Sequence, residues 1–158
     1  MSDVESLRRA LADGRADLLT ALEGVTQEEF IRRPPGEPTD ADARWPVRDV
    51  LWHVGMFEDW VRRGVDAARR GVEATAYEPR RRPAHVSTPA LLLEWLAQTR
   101  RPTLVLLGKL RDEELGVAHR VGGRERTFAR GLAHLGEHDR EHARQVRQLR
   151  ALASGAAS

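Results

Sequence analysis

The sequence predicts an all-α protein built as a four-helix bundle, and three observations support this. Apolar residues recur at helical spacing along most of the chain, four such segments are long, and none alternates as a convincing β-strand. A length of 158 residues favours one domain with its own core. We therefore expect a single domain over residues 1–153 and a flexible tail over residues 154–158.

The first helix is expected over about residues 3–24. Its apolar face is formed by Val4, Leu7, Leu11, Leu18, Leu22 and Val25. Thr26 followed by Glu29 is a capping-box pattern and predicts a short helical turn. Residues 33–45 contain three prolines, which predicts a loop over the surface.

The second helix is expected to open at Trp45-Pro46, because proline suits the first helical position, and to run to about residue 70. Its apolar face is formed by Val47, Val50, Val54, Phe57, Val61 and Val65. Residues 71–87 are polar and rich in arginine and proline, so we expect a connection there.

Thr88 and Pro89 supply a cap and a first residue for the third helix, which Pro102 is expected to kink or split. Residues 112–126 are expected to form another connection, with Gly122-Gly123 as its turn. Thr127 then caps a fourth helix that runs to about Leu152.

The charge pattern argues against a nucleic-acid partner, although the sequence pI is about 9.8. The formal net charge is only +2, and Lys109 is the one lysine among 26 basic residues. Arginine stays protonated far above neutral pH, so the high pI reflects arginine usage rather than a large positive field. The arginine pairs are scattered over every element, and aromatic residues make up only 5% of the chain. We expect no nucleic acid among the partners.

The sequence also predicts a cytoplasmic protein without a membrane partner. Charged residues occupy the positions where a signal peptide would be apolar. The longest aliphatic run is four residues, Leu104–Leu107, far short of a bilayer span.

The histidines carry the main functional signal. His138 and His142 lie one turn apart and point toward the apolar face of the fourth helix, so both imidazoles can bind one metal ion. His53 borders the apolar face of the second helix and is the best third ligand. His134 lies at the edge of the same face, as a rim group or a further ligand, and His85 and His119 are expected in loops.

Two known metal motifs fit this stretch poorly. His138-Asp-Arg-Glu-His142 matches the inverted zinc-protease pattern, but no Asp or Glu follows it to complete the ligand set. A di-iron bundle needs Glu-x-x-His on two helices, and none of the three histidines has Glu three residues earlier.

Two segments resemble the DinB-like superfamily, which includes bundles of the bacillithiol-transferase and maleylpyruvate-isomerase types. Trp45-Pro-Val-Arg-Asp-Val-Leu-Trp-His53-Val is similar to the family's Trp-Ser-Val-Arg-x-x-Leu-x-His-Leu. The stretch from His134 to Val146 is similar to its His-x-x-x-His pattern followed by Gln and an aliphatic residue. The resemblance implies a DinB-like four-helix bundle, a homodimer, and a divalent metal on His53, His138 and His142.

The resulting hypothesis is a metal-dependent enzyme, with zinc, nickel or iron as the metal. The ion would activate water or an exogenous low-molecular-weight thiol as nucleophile, because the chain contains no cysteine. Gln145 is a candidate for orienting a ligand or a polar substrate, and Arg48 and Arg144 either steer an anionic cosubstrate or are solvated. Glu58, Glu137 and Glu141 are candidates for acid–base chemistry and otherwise ordinary helix-surface charges. Trp52 and Trp60 are candidates for lining a pocket or a dimer face, although core packing is favoured. The catalytic residues are not identified. The alternatives are a non-catalytic metal-binding or interaction bundle and, less favoured, a nucleic-acid binder.

Overall fold

The structure is a computed structural model of the chain and describes residues 3–36, 44–121 and 123–155. The long helices are α1 (Asp3–Leu22), α3 (Val47–Arg69), α4 (Pro89–Leu107) and α5 (Phe128–Ala153), and the short elements are α2 (Gln27–Ile31), β1 (Ala118–Val121) and β2 (Arg124–Thr127). The four long helices form the predicted four-helix bundle.

The predicted helix starts follow from side-chain caps. Thr26 and Glu29 form the capping box of α2, Thr88 accepts a hydrogen bond from the backbone N–H of Leu91, and Thr127 accepts one from Arg130. Helix α3 begins at Val47, so Pro46 lies at the N-cap position rather than at the first helical position, and it makes no side-chain capping hydrogen bond.

Helix α5 packs along both α1 and α3, and α3 packs along α4, whereas α1 and α4 make only a small contact. The α1–α5 contact is close because glycines face each other across it. A β-carbon built on Gly14 would lie 2.5 Å from the carbonyl oxygen of Gly136, and one built on Gly136 would lie 2.7 Å from that of Ala10, so both positions require glycine. The two backbones therefore approach directly.

The region predicted as a plain connection over residues 112–126 contains regular structure. A single 3-10 turn spans Asp112–Glu114, and β1 pairs antiparallel with β2, with Val121 opposite Arg124. The prediction of no strand was therefore wrong at this point. Gly123 has φ +77° and makes the expected turn, whereas Gly122 lies outside the described residues. His119 lies on β1 rather than in a loop.

Pro102 does not split the third bundle helix, which continues from Pro89 to Leu107. Ser154 and Gly155 form a turn after α5. The remainder of the predicted tail (residues 156–158) and residues 37–43 of the predicted proline-containing loop lie outside the described residues. Among the residues that are described, no helix combines the length and apolarity needed to cross a bilayer.

The interior is divided along the bundle axis into two apolar clusters, and each long helix contributes to both. One cluster includes Leu18, Val54, Leu96 and Val146, and the other includes Leu11, Val61, Leu107 and Leu135. Between them, each helix places one charged residue in the interior: Arg15, Glu58, Arg100 and Asp139. The candidate site lies at the level of this charged layer.

Candidate metal centre

Helices α3 and α5 bring together the three histidines singled out in the sequence. Nε2 of His138 lies 3.1 Å from Nε2 of His53 and 3.1 Å from Nε2 of His142. One nitrogen from each ring lies within 4.8 Å of the nitrogens from the other two. This separation allows the three imidazoles to share a single ion.

The burial of the histidines follows the helical geometry expected from the sequence. His138 and His142 are buried, His53 is half-buried, and His134 lies at the rim, where its Nδ1 is 3.3 Å from Oε2 of Glu137. His85 is exposed in the connection between α3 and α4. Of the four clustered histidines, three converge, whereas His134 contacts Glu137.

The outer nitrogens of two rings also have partners. Nδ1 of His142 lies 2.6 Å from Oε1 of Gln145, and Nδ1 of His53 lies 3.2 Å from the hydroxyl of Tyr77. An amide oxygen can only accept, so Nδ1 of His142 carries the proton and its Nε2 presents a lone pair. A tyrosine hydroxyl can donate or accept, and the Tyr77 hydroxyl is the acceptor if His53 has the same tautomer as His142.

This donor set fits a metal ion. Nε2 lone pairs facing one another at hydrogen-bond distance repel unless a proton or a cation lies between them, and a single Nε2 proton could satisfy only one of the two close pairs. Metal–imidazole bonds of about 2.0–2.1 Å in a tetrahedral site would separate the nitrogens by about 3.4 Å. The observed spacing of 3.1 Å is close to that value. Three imidazoles suit zinc, nickel or iron.

His138 is held in the neutral form that a metal requires. Burial lowers its pKa to about 2, and repulsion from His142, His53, His134 and Arg15 adds to the effect. Phe57 stacks on this ring with centroids 4.3 Å apart, and Trp45 lies 5.2 Å from the ring of His53. Aromatic side chains therefore shield part of the site from water.

The three glutamates considered as acid–base groups lie in different environments. Glu137 is exposed and pairs with Arg130 and His134, and Glu141 is exposed on α5. Glu58 is 1% exposed, so its interpretation as a helix-surface charge was wrong. It pairs instead with two buried arginines.

Those pairs belong to a closed ring of four ionic contacts, one residue from each long helix. Arg15 binds Asp139 (Nε to Oδ2, 3.0 Å) and Glu58 (Nη2 to Oε2, 2.7 Å). Arg100 binds Glu58 (Nε to Oε1, 2.6 Å) and Asp139 (Nη2 to Oδ2, 2.8 Å). Burial alone would lower the pKa of Arg15, but attraction by Asp139 and Glu58 outweighs it and raises the pKa.

The sequence contains a signal for this ring, although the ring was not predicted from it. In α1, Arg15 continues the series of Leu11 and Leu18, and in α4, Arg100 follows Leu96 by one turn. On the buried face of each bundle helix, one Arg, Glu or Asp thus lies among the mainly apolar positions. Opposite charges at such interior positions predict mutual pairing.

The other candidates lie near the site without joining it. Arg48 is half-buried beside Asp49, and Arg144 is exposed. Trp52 stacks on Trp95 with centroids 4.5 Å apart, and Trp60 packs beside Phe57. Trp52 therefore serves packing, whereas Trp60 also lines a cavity together with Thr75 and Tyr77, as the pocket-lining alternative expected. Both tryptophans bind backbone carbonyls of the α3–α4 connection.

Solved structures that resemble this bundle include three of low sequence identity. YfiT from Bacillus subtilis, described as a probable metal-dependent hydrolase with an unusual four-helix bundle topology, is 18% identical, with a TM-score of 0.70 over 96% of this chain and 87% of that one. An uncharacterised protein from Escherichia coli UTI89 is 15% identical, with a TM-score of 0.67 over 98% and 95%. These likenesses establish the shared fold.

The third relative corrects the expectation about partners. The colibactin self-resistance protein ClbS, crystallised in complex with double-stranded DNA, is 13% identical, with a TM-score of 0.70 over 92% of this chain and 94% of that one. Because a protein of this fold is found on DNA, the exclusion of nucleic acid from the charge pattern was wrong. These comparisons lend no support to a thiol cosubstrate or a homodimer.

The family is shown by the sequence itself. A comparison with curated protein sequences finds no match. The family profile, in contrast, matches residues 10–146, which include both histidine segments and all four long helices in large part. The chain therefore belongs to the DinB superfamily.

Proposed function

We propose that this protein is a metal-dependent enzyme in which His53, His138 and His142 hold one divalent ion. The observation that carries the proposal is the convergence of three Nε2 atoms in one site, where Gln145 and Tyr77 contact the outward Nδ1 atoms of two of the rings. The description of YfiT as a probable metal-dependent hydrolase adds support from a protein of the same fold.

A divalent ion on three imidazoles would lower the pKa of a water molecule or a thiol, which makes either a nucleophile at neutral pH. The nucleophile has to come from solution, because the chain contains no cysteine. Water would give hydrolysis, and a low-molecular-weight thiol would give S-transfer. Both reactions use the same protein groups.

The residues around the ligands have two roles in this proposal. Gln145 and Tyr77 orient imidazoles, and Phe57 and Trp45 keep bulk water from one side of the site. His53 is the least buried ligand.

Metal stoichiometry tests the proposal directly. We expect one ion per chain in the wild type after loading and dialysis, and no retained ion in His138→Ala. His85→Ala is the matched control, because it removes an exposed histidine and should retain the full stoichiometry. An unchanged stoichiometry in His138→Ala, with the fold verified by circular dichroism, would reject the site.

Turnover distinguishes the two reactions from a non-catalytic role. The loaded protein is assayed against activated ester and electrophilic substrates, with and without a panel of low-molecular-weight thiols. Product formation that needs thiol indicates S-transfer, and formation without thiol indicates hydrolysis. If neither occurs while chelation lowers the melting temperature, the metal is structural.

Binding to double-stranded DNA is a second candidate, supported by the ClbS complex. Arg80 and Arg81 are exposed in the connection between α3 and α4, beside the candidate site. Fluorescence anisotropy with a labelled duplex should show an affinity that falls steeply with salt. Arg80→Ser with Arg81→Ser should reduce the salt slope by about 1–2. An absence of binding at low salt would reject this candidate.

A further inference from the structure

The connection between α3 and α4 crosses the face of the candidate metal centre and is anchored there by side chains of α3. Trp60 donates its indole N–H to the carbonyl oxygen of Thr75 at 3.0 Å, and Trp52 donates to that of Arg80 at 2.7 Å. Nε of Arg82 lies 2.8 Å from Oδ1 of Asp49. The segment is thus fixed at three points to the helix that carries His53.

Tyr77 lies between the two tryptophan anchors, and its ring is held in an aromatic cluster. The ring centroid is 5.3 Å from that of Trp60 and 6.1 Å from that of Phe57. It meets His53 edge-on, at an interplanar angle of 84°. This orientation places the hydroxyl beside Nδ1 of His53 rather than over the face of the imidazole.

We propose that Tyr77 is the positioning residue for His53. The Tyr77 hydroxyl accepts the Nδ1–H of His53, holds the imidazole in place and thereby directs its Nε2 into the site. The inference rests on the proposed function, because it concerns how one of the proposed ligands is prepared for the ion. A ring nitrogen that carries a proton cannot bind a metal, so an acceptor at Nδ1 selects the competent tautomer. Gln145 does the same for His142 from within α5.

The hydrogen bonds of Trp52 and Trp60 to the segment that carries Tyr77 distinguish the Tyr77–His53 contact from a chance contact. Because Tyr77 is anchored to the same helix as its partner, the hydroxyl and Nδ1 keep their relative position when other helices shift. A residue that served packing alone would need only the ring, and phenylalanine would replace it. The hydroxyl is therefore the group to test.

Tyr77→Phe removes the hydroxyl and keeps the ring. We expect its affinity for Zn²⁺, measured by competition with a chromophoric chelator, to fall about 10- to 100-fold. Thr103→Val is the matched control, since it removes a buried hydroxyl on α4, which supplies no proposed ligand, and should leave the affinity unchanged. Equal affinities in Tyr77→Phe and the wild type would overturn the inference.

The tautomer of His53 gives a second readout in the metal-free protein. Long-range ¹H–¹⁵N correlation spectra should show the Nδ1–H form in the wild type and a mixture of forms in Tyr77→Phe. An Nε2–H form in the wild type, or the same form in both proteins, would contradict the role of Tyr77. If the wild type retains no metal, the proposed function fails together with this inference. If it retains metal and Tyr77→Phe matches it, only the inference fails.

Discussion

Arg15 on α1 and Asp139 on α5 form a buried ion pair at 3.0 Å. Asp139 directly follows the candidate ligand His138 in the sequence. Because Asp139 is also bound to Arg100 of α4, the rotation of α5 about its axis is fixed from two sides at this level. The same rotation directs His138 toward His53. The ionic layer therefore helps to set the geometry of the candidate site without contributing a ligand.

Arg15→Met is expected to destabilise the protein by about 3–5 kcal/mol. The substitution keeps an unbranched chain of similar length but leaves Glu58 and Asp139 buried with one positive charge between them. The free energy of unfolding, obtained from urea titration, measures the loss.

The control for this substitution joins the same two helices at the surface. Arg147 of α5 pairs with Asp17 of α1, and its side chain is 45% exposed. Arg147→Met should cost far less than Arg15→Met, because water compensates the lost charge. Similar losses in the free energy of unfolding of Arg15→Met and Arg147→Met would show that the buried ion pairs stabilise the protein no more than an exposed one.

The helices and the histidine trio could be predicted because both depend on local spacing. The threonine caps act on backbone groups within the same turn, and helical periodicity alone places His138 and His142 on one face. The prediction of His53 as the third ligand required α3 to face α5. The apolar faces of the helices and the family resemblance both favoured that arrangement.

The features that sequence reasoning missed depend on contacts between distant segments. The strands β1 and β2 are short and largely exposed, so their sequences lack the apolar alternation of a half-buried strand. Tyr77 lies 24 residues from His53 in a segment without periodicity. Only the tertiary structure shows that two tryptophans bring it to the site.

Gly136→Ala is expected to destabilise the protein by about 1–3 kcal/mol. A β-carbon at Gly136 would lie 2.7 Å from the backbone oxygen of Ala10, which cannot move without separating α1 from α5. Gly131→Ala in the same helix is the control, because its β-carbon would make ordinary contacts at 3.8 Å and beyond. It should be neutral or stabilising by up to about 1 kcal/mol. Thermal unfolding of both variants is the measurement. A loss only in Gly136→Ala indicates the close backbone contact, whereas a similar change in both variants indicates a general effect of helix propensity.

The metal-free protein is expected to lose stability as the pH falls below 6.5. Burial lowers the pKa of His138 from its ordinary value of 6.5 to about 2, so between these values the unfolded chain binds a proton that the folded chain does not. This residue alone should then contribute a loss of about 1.4 kcal/mol per pH unit. Urea titrations with chelator at pH 7 and pH 5 measure the slope. It should be shallower in His138→Leu and unchanged in His85→Leu, and equal slopes in all three proteins would contradict the prediction.

Gln145→Leu is expected to weaken metal binding through His142, whose Nδ1 would lose its acceptor at 2.6 Å. Removal of such a partner commonly lowers metal affinity by about 10- to 100-fold. Zinc at a hundred times the wild-type dissociation constant should stabilise the wild type by about 2.7 kcal/mol and the variant by only about 0.4–1.4 kcal/mol. The comparison uses the difference between zinc-loaded and chelated samples of each protein, so any cost of the substitution to the metal-free fold cancels. Gln145→Glu retains an acceptor and should preserve the wild-type shift. Equal shifts in Gln145→Leu and the wild type would show that His142 is oriented by its helix alone.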